Sequence, residues 1–552
     1  MPPPSLLQVR TFRALSRCLS RNDLTRMLFL SQRRSASSTS NQRRQGGILR
    51  CNELKYAVLG GTLILGYSYF SSYVSSDSIY GLKQYSTSKS AATNINANTN
   101  SNSNSNSNTV SLLNDKQVEA ILHKSEESYF VNRGKGVLRY DVSQLPSNAP
   151  IEDNRVEQII TVPTESSESL EDLYFFGIFD GHGGPYTSAK LSQELVPYVA
   201  YQLGQIYNKG AAFLTSESID EAITQGFIQL DNDIVYGSLG KLFEDPSKEN
   251  LVESLPAVSG SCGLLSMYDS NNCTIKVAVT GDSRAILVKQ SDEGSWTVKS
   301  LSTDQTGDNE QEVERIRKEH PDEPNCVHRG RILGSLQPSR AFGDYRYKVK
   351  EINGKSVHDL PDHLKIYFRR EPKDFLTPPY VTAKPEITTT HMDDSTKFMV
   401  LGSDGLFELL SNEEIAGLVI KWMEKHPIKK NSKVLKEQSP YGKLPALEDI
   451  SPDKESQRPA FRYKTSSNKG KASKSEYLME DENVATHLIR NALSGGGNKD
   501  YVSTLVSIPP TKSRRYRDDL TVTVVFFGNE TEGTDGKLEI NHVATKTETP
   551  KL

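Results

Sequence analysis

Acidic residues stand at the ends of apolar segments at five places along the chain. In order, they are Glu152-Asp153, Asp180, Asp282, Asp404 and Asp518-Asp519. Each alone is an ordinary turn signal, because aspartate and glycine are common where a strand ends. Five such sites together predict a cluster of carboxylates, because strand ends that meet at one edge of a sheet structure would bring them close to one another.

Carboxylates that converge repel one another and raise each other's pKa unless cations neutralise them. Their hard oxygen atoms favour Mg²⁺ or Mn²⁺ over zinc. Two such ions, about 3.5–4 Å apart, activate water and hold a phosphoryl group. The pattern therefore indicates a metal-assisted reaction at phosphorus.

A histidine, His182, lies two residues after Asp180 inside a glycine-rich loop. A histidine in this position can protonate a departing alkoxide oxygen, a step typically worth about 10²–10⁴ in rate. Lone histidines are more often structural, but the surrounding DGHGG favours a catalytic role. Glycine at 181, 183 and 184 permits close backbone approach and positive φ, and the Gly181 carbonyl is a candidate metal ligand.

The apolar segments predict the elements that position these residues. Runs at 173–179, 398–401 and 520–527 have the composition of strands, and a further run at 156–162 follows the first acidic pair. Residues 274–279 and 285–288 flank the turn at Asp282 and predict a hairpin. Helical spacing at 482–493 predicts a helix.

Composition excludes several classes of protein. The 552 residues are enough for one large domain with appendages. The net charge of −3 gives no global field for nucleic acid, so no nucleic-acid partner is expected. The five cysteines contain no CxxC pair, which argues against a disulfide scaffold and a thiolate zinc site.

The amino-terminal segments predict targeting and a tether. Residues 1–50 hold ten arginines and one acidic residue, which is typical of a mitochondrial targeting segment; a disordered basic tail is the alternative. The hydrophobic segment 54–76 predicts a marginal transmembrane helix, with a buried core helix as the alternative. Residues 77–113, rich in Asn and Ser, predict a flexible linker.

Two further segments are expected to lack regular structure. The basic, Ser- and Pro-containing stretch at 427–476 predicts a disordered surface insertion, and whether it binds a partner stays open. Residues 529–552 predict a flexible tail. The terminal Pro550-Lys551-Leu552 loosely resembles a peroxisomal signal, although proline makes the match weak.

Six motifs stand in a fixed order along the chain: FDGHGG at 179–184, SGSCG at 259–263, TGDSRA at 280–285, SRAFGD at 339–344, GSDGLFE at 402–408 and RDDLTV at 517–522. As an ordered set they are highly specific. Residues 114–528 resemble the metal-dependent protein phosphatase 2C family. The segment QLPSNAPIEDNR at 144–155 is more similar to the pyruvate dehydrogenase phosphatase branch, with its fungal mitochondrial members.

The resemblance implies an α+β fold in which two packed antiparallel β-sheets are flanked by α-helices. It also implies a binuclear Mg²⁺ or Mn²⁺ site with a third, weaker position. Under the implied assignment Asp180 bridges the two ions and the Gly181 carbonyl is a ligand. The remaining implied ligands are Asp404 and Asp518 for the first ion, Glu152 through water with Asp153 beside it for the second, and Asp282 for the third.

The implied reaction is hydrolysis of phosphoserine in a mitochondrial protein, with pyruvate dehydrogenase E1α as the implied substrate. Activated water would attack phosphorus in line, with no phosphoenzyme, and His182 would protonate the leaving oxygen. The alternative function is a pseudophosphatase that acts as a phosphoprotein-binding scaffold. That alternative predicts lost metal ligands, whereas the core ligands are all present.

Several residues depart from the family pattern. Asn148 stands where many members have a phosphate-binding arginine, and an amide lacks the charged fork of arginine. The substrate phosphate is therefore expected to be held more weakly or from elsewhere. Glu408 stands in place of a third-metal aspartate. Cys262 and Asp519 replace a usual threonine and asparagine without removing an implied ligand.

Two placements of the domain stay open. If the hydrophobic segment stops in the inner mitochondrial membrane, the domain faces the intermembrane space. If it is processed or fully imported, the domain lies in the matrix with the pyruvate dehydrogenase complex.

Overall fold

The computed structural model describes residues 110–163, 170–210, 213–429, 441–443, 450–451, 476–529 and 534–546. The predicted targeting segment at 1–50, the hydrophobic segment at 54–76 and most of the linker lie outside these ranges. The chain divides into two compact units. One comprises 94–203 and 215–552; of the other, which comprises 1–93 and 204–214, only 204–210 and 213–214 are described. In the described ranges, no helix has both the length and the apolar content needed to cross a membrane.

Helices and strands are numbered here along the described chain. The helices are α1 (Asp115–Leu122), α2 (Tyr186–Tyr207), α3 (Ser216–Asn232), α4 (Ser238–Glu244), α5 (Lys248–Val258), α6 (Glu310–Glu319), α7 (Tyr345–Lys348), α8 (Asp362–Lys365), α9 (Asp404–Phe407), α10 (Asn412–Met423), α11 (Val484–Ser494), α12 (Lys499–Ser507) and α13 (Pro510–Ser513). A π-helical turn (Asp233–Gly237) and a 3₁₀ turn (Val357–Asp359) supplement them.

The strands carry most of the fold. They are β1 (Glu127–Asn132), β2 (Val137–Leu145), β3 (Asn154–Pro163), β4 (Leu170–Phe179), β5 (Gly181–His182), β6 (Gly260–Ser261), β7 (Gly263–Asp269), β8 (Thr274–Thr280), β9 (Arg284–Gln290), β10 (Trp296–Ser300), β11 (Val327–His328), β12 (Arg331–Ile332), β13 (Phe342–Gly343), β14 (Glu386–His391), β15 (Thr396–Gly402), β16 (Tyr441–Lys443), β17 (Ile450–Ser451), β18 (Glu476–Leu478), β19 (Leu520–Phe527) and β20 (Lys537–Ile540).

Two sheets contain the strands that surround the acidic residues. The larger has the order β17-β10-β9-β15-β19-β2-β1-β20, and the smaller has the order β14-β8-β7-β4-β3. Neighbouring strands run antiparallel, except that β17 runs parallel to β10. The predicted strands at 156–162, 173–179, 398–401 and 520–527 are confirmed as parts of β3, β4, β15 and β19.

The two sheets pack face to face, with apolar side chains between them. Tyr140 and Val525 of the larger sheet share one buried cluster with Phe176 and Val277 of the smaller. Burial of such side chains contributes about 1.5–3 kcal/mol each. This layer fixes the strand ends relative to one another, which is what a site built from several strands requires.

Helices cover the outer faces of the sheets. On the larger sheet, Phe526 packs in a second cluster with Trp422 of α10 and Leu488 of α11. On the smaller sheet, Lys276 of β8 donates hydrogen bonds to Ser216 and Asp220 of α3, at 2.8 and 2.6 Å. The predicted α+β class is confirmed, as is the predicted helix at 482–493, which corresponds to α11.

The predicted hairpin around Asp282 is wrong. Strand β8 belongs to the smaller sheet and β9 to the larger, so residues 281–283 carry the chain from one sheet to the other. Gly281, with φ +109°, lies in this connection. Both strands are buried on both faces, so apolar alternation did not reveal that their partners differ.

The predicted flexible tail is also partly wrong. Strand β20 pairs with β1, with Ile540 opposite Tyr129 and Lys537 opposite Asn132. Within the predicted insertion, β16 pairs with β18 and β17 extends the larger sheet beside β10. The open edge of a sheet can pair with a short strand through backbone hydrogen bonds. Because this pairing depends little on side-chain type, the sequence pattern did not predict these strands. The other residues of 430–475 lie outside the described ranges.

Candidate active site

Asp180 directly follows β4, a central strand of the smaller sheet. Burial raises the pKa of its carboxyl well above the usual value, and the nearby carboxylates of Asp153, Asp404 and Asp282 raise it further. Acidic residues from four separate segments therefore lie near one another, whereas the sequence pattern predicted five. The site lies where strand ends of both sheets meet.

Glu152 lies in the loop between β2 and β3 and is bound to the glycine loop. Its Oε1 accepts a hydrogen bond from the Gly184 N–H at 2.6 Å. Its carbonyl accepts one from the Ser188 hydroxyl and lies against Gly181, where any Cβ would collide with it. Position 181 therefore has room only for glycine. The contact between Gly181 and the Glu152 carbonyl holds Glu152 next to Asp180.

Asp519 organises the loop that carries Glu152. Its buried carboxylate accepts hydrogen bonds from the backbone N–H groups of Ser147 at 2.5 Å, Asn148 at 3.3 Å and Glu152 at 2.9 Å. Hydrogen bonds to an ionised group are roughly twice as strong as neutral ones. Sequence analysis assigned Asp519 no role, because the turn that it holds comes from a part of the chain 367 residues or more away.

Asp404 follows β15 and Asp518 precedes β19, and these two strands are neighbours in the larger sheet. A Cβ at Gly405 would lie 3.2 Å from the Asp518 Cβ, so the two segments touch. In the described chain Asp404 Oδ1 is buried and has no hydrogen-bond partner. The Asp518 carboxylate forms an ion pair with Arg514.

His182 is positioned by a small three-stranded sheet of order β13-β6-β5. Its Nε2 lies 2.5 Å from Asp344 Oδ2. Burial disfavours the charged imidazolium, but Asp344 outweighs burial and the pKa of His182 is raised. Sequence analysis missed Asp344 as a partner of His182, although it closes the SRAFGD motif, because 162 residues separate the two in the chain.

The predicted third-metal residues lie beside this group. Asp282 Oδ1 accepts a hydrogen bond from Cys262 Sγ at 3.1 Å. Burial and the Asp282 charge raise the pKa of the Cys262 thiol, which keeps it protonated. Glu408 lies one helical turn after Asp404, and its N–H donates to the Asp404 carbonyl at 2.8 Å.

The donor set fits hard divalent cations. Burial and the neighbouring Asp519 raise the pKa of Asp153 to about 8. Among the described residues, no Lys or Arg side chain pairs with Asp153, Asp180 or Asp404. Buried carboxylates without counter-charges are costly, and the unpartnered Asp404 Oδ1 is an available acceptor. Carboxylate and carbonyl oxygens are the ligands that Mg²⁺ and Mn²⁺ take.

The model of the family described as protein phosphatase 2C matches residues 150–449, more than half of the chain. The chain belongs to the protein phosphatase 2C family. Members of this family are metal-dependent, and the chain is a protein serine/threonine phosphatase.

Curated relatives place this phosphatase more narrowly. It is 57% identical over 540 residues to mitochondrial "[Pyruvate dehydrogenase [acetyl-transferring]]-phosphatase 1" of Saccharomyces cerevisiae, covering 94% of this chain and 93% of the relative. It is 37% identical to "Protein phosphatase 2C homolog C10F6.17c" of Schizosaccharomyces pombe, covering 74% and 84%. It is 31% identical to the Bos taurus mitochondrial "[Pyruvate dehydrogenase [acetyl-transferring]]-phosphatase 1", covering 76% and 84%. The resemblance to this branch is confirmed, and the phosphatase is mitochondrial.

A second group of potential metal ligands lies elsewhere in the phosphatase. Glu119 of α1 and His123, which directly follows α1, meet Asp481. Arg490 Nη2 lies 2.7 Å from carboxylate oxygens of both Glu119 and Asp481. Burial opposes the charge on His123, but hydrogen bonds to Glu119 and Glu126 raise its pKa to about 9. Protein cations already neutralise these carboxylates, so this group is a structural ion-pair cluster.

Proposed function

We propose that this phosphatase hydrolyses phosphoserine in the pyruvate dehydrogenase E1α subunit. The observation that carries the proposal is the group of carboxylates around Asp180 beside the His182–Asp344 pair. The names of the Saccharomyces and Bos relatives support the choice of substrate. A pseudophosphatase would be expected to lack ligands that this chain retains.

The proposed cofactors are two Mg²⁺ or Mn²⁺ ions. Asp180, the Gly181 carbonyl, Glu152, Asp404 and Asp518 would hold them, and Asp282 with Glu408 would serve a third position. When bound, the ions supply activated water and neutralise charge on the phosphoryl group. Asp518 pairs with Arg514 through one of its carboxylate oxygen atoms, Oδ1.

His182 is the proposed general acid. With Asp344 favouring the imidazolium, His182 carries the proton that the leaving serine oxygen must receive. Asp344 also limits rotation of the ring. Asn148, predicted at the substrate phosphate, donates from Nδ2 to Glu152 Oε2 at 2.7 Å, so it positions Glu152 and contributes no charge to phosphate binding.

The test is phosphate release from phosphorylated E1α and from a phosphoserine peptide, with and without Mn²⁺. We expect Mn²⁺-dependent release that EDTA abolishes and that a D180N variant lacks. If the enzyme hydrolyses the peptide but not E1α, the proposed substrate is wrong, whereas the proposed reaction stands. Metal-independent hydrolysis would overturn the proposed site.

The side of the inner membrane is a separate proposal. We propose that the domain reaches the matrix, where the pyruvate dehydrogenase complex lies. Protease treatment of mitoplasts with an internally tagged chain tests this. Protection is expected, whereas digestion would place the domain in the intermembrane space, anchored through residues 54–76.

A further inference from the structure

The site has no arginine at the position where many family members bind phosphate. Asn148 stands there, and its amide nitrogen is hydrogen-bonded to Glu152. A phosphoserine phosphate carries about −1.5 to −2 charge at neutral pH, and it must approach a group of carboxylates. A cation from elsewhere in the chain would offset that repulsion.

Arg369 lies close enough to His182 to supply this positive charge, and its guanidinium is available. It follows α8, and its guanidinium nitrogen atoms lie 3.3 Å from where a Cβ on Gly183 would stand. Gly183 is the residue next to His182. Arg369 is exposed, and its guanidinium has no hydrogen bond or ion pair in the described part of the chain.

The Arg369 backbone is fixed by the same segment that positions His182. The Tyr345 hydroxyl donates to the Arg369 carbonyl at 3.3 Å. The Tyr345 ring packs edge-on against Phe368, with ring centroids 5.5 Å apart. Tyr345 is buried and directly follows Asp344, the partner of His182. One dipeptide therefore holds both the proposed acid and the arginine loop.

A groove of ≈ 350 Å³ extends from this point. Its lining is mainly apolar around Arg369 and includes Gly183, Ile366, Tyr367 and Phe368. Ile366 is 77% exposed and Tyr367 is 50% exposed. Such a surface suits the residues that flank a phosphoserine, with the arginine at the end nearest His182.

We propose that Arg369 binds the phosphate oxygens of the phosphoserine substrate and supplies the charge that position 148 lacks. The peptide beside the phosphoserine lies in the groove. This inference rests on the proposed function, since it requires hydrolysis at the Asp180 site. The guanidinium offers two parallel N–H donors to the phosphate, and it keeps its charge throughout the working pH range.

The experiment compares R369A, R369K and R370A in the full chain with Mn²⁺. Arg370 is the matched control, because it is the neighbouring exposed arginine and does not line the groove. The readouts are KM and kcat for a phosphoserine peptide and the inhibition constant of inorganic phosphate. Thermal unfolding checks that each variant is folded.

For R369A we expect KM and the phosphate inhibition constant to rise together, by about 10- to 100-fold, as for loss of a charged hydrogen bond. R369K should recover part of the loss because it keeps the charge without the fork. R370A should match the wild type.

Two outcomes would overturn the inference. They are an unchanged phosphate inhibition constant in R369A, whether or not KM for the peptide rises, and an equal effect in R370A. Each requires an active wild-type enzyme, so each differs from failure of the proposed function, in which the wild type itself shows no Mn²⁺-dependent hydrolysis.

Discussion

At Asp180 and at Asp481, buried and half-buried carboxylates gather with different partners. Around Asp481, Arg490 and His123 lie within ion-pair distance, and the pKa of Glu119 falls to about 2 although burial alone would raise it. Around Asp180, burial and neighbouring carboxylates act in the same direction, and the pKa of Asp153 rises to about 8. Arg490 and His123 supply cations to the Asp481 cluster, whereas within the described ranges no Lys or Arg side chain pairs with Asp153, Asp180 or Asp404.

This difference separates a structural cluster from a candidate metal site more reliably than ligand spacing does. His123, Glu119 and Asp481 have the closer spacing of potential ligand atoms. Yet a fixed guanidinium already satisfies two of their carboxylates, and a metal ion would have to displace it. Substitutions in the two clusters test this contrast.

The substitution D180N should reduce phosphatase activity to background, because a residue proposed to hold the metal ions loses its charge. It should also abolish the rise in thermal unfolding temperature that Mn²⁺ produces in the wild type by mass action. Calorimetry with and without Mn²⁺ checks this, with E119Q as the matched control in the other cluster. If D180N keeps the Mn²⁺ effect, Asp180 is not a ligand.

The substitution H182A should lower kcat by about 10²–10⁴, the usual contribution of a general acid, with little change in Mn²⁺ affinity. D344N should lower kcat by a smaller factor, since it weakens the orientation of the ring and leaves the acid in place. Steady-state kinetics at saturating Mn²⁺ distinguish the two. A D344N enzyme with wild-type kcat would remove Asp344 from the mechanism.

The substitution R490M should destabilise the fold by about 3–5 kcal/mol, as expected when one partner of a buried ion pair is removed. It should leave kcat of the folded enzyme unchanged. Urea unfolding followed by fluorescence measures the loss. If added Mn²⁺ restored the stability of R490M, the Asp481 cluster would be a latent metal site and the contrast between the clusters would fail.

The His123 ion pairs should make stability depend on pH. The pKa of His123 is about 9 in the folded protein and about 6.5 for an unperturbed histidine. The folded state therefore binds the proton more tightly, which adds stability that is fully present below pH 6.5 and is lost as pH rises through 9. Urea unfolding should show that the wild type has a higher free energy of unfolding than H123Q below pH 6.5, and that this difference disappears as the pH rises through 9. An advantage that grows with pH would contradict the assignment.

The local elements were readable from the sequence because each depends on neighbours in the chain. The apolar run before Asp180, the β-branched run after Asp519 and the helical spacing of α11 all lie where the structure has them. The ordered motifs also identified the family. The hairpin at Asp282 and the tail strand β20 were missed because strand partners are chosen by the whole sheet.

Residue types and local spacing alone indicate which residues carry charge, which strand ends they follow, and hence the metal-dependent phosphatase family. Which carboxylates have protein cations depends on the folded arrangement of distant segments. This arrangement also paired His182 with Asp344, used Asp519 to hold the Glu152 loop, and placed Arg369 over Gly183. The physical reason is that electrostatic and hydrogen-bond energies depend on distances between atoms. For residues hundreds of positions apart, those distances are set by how the two sheets pack.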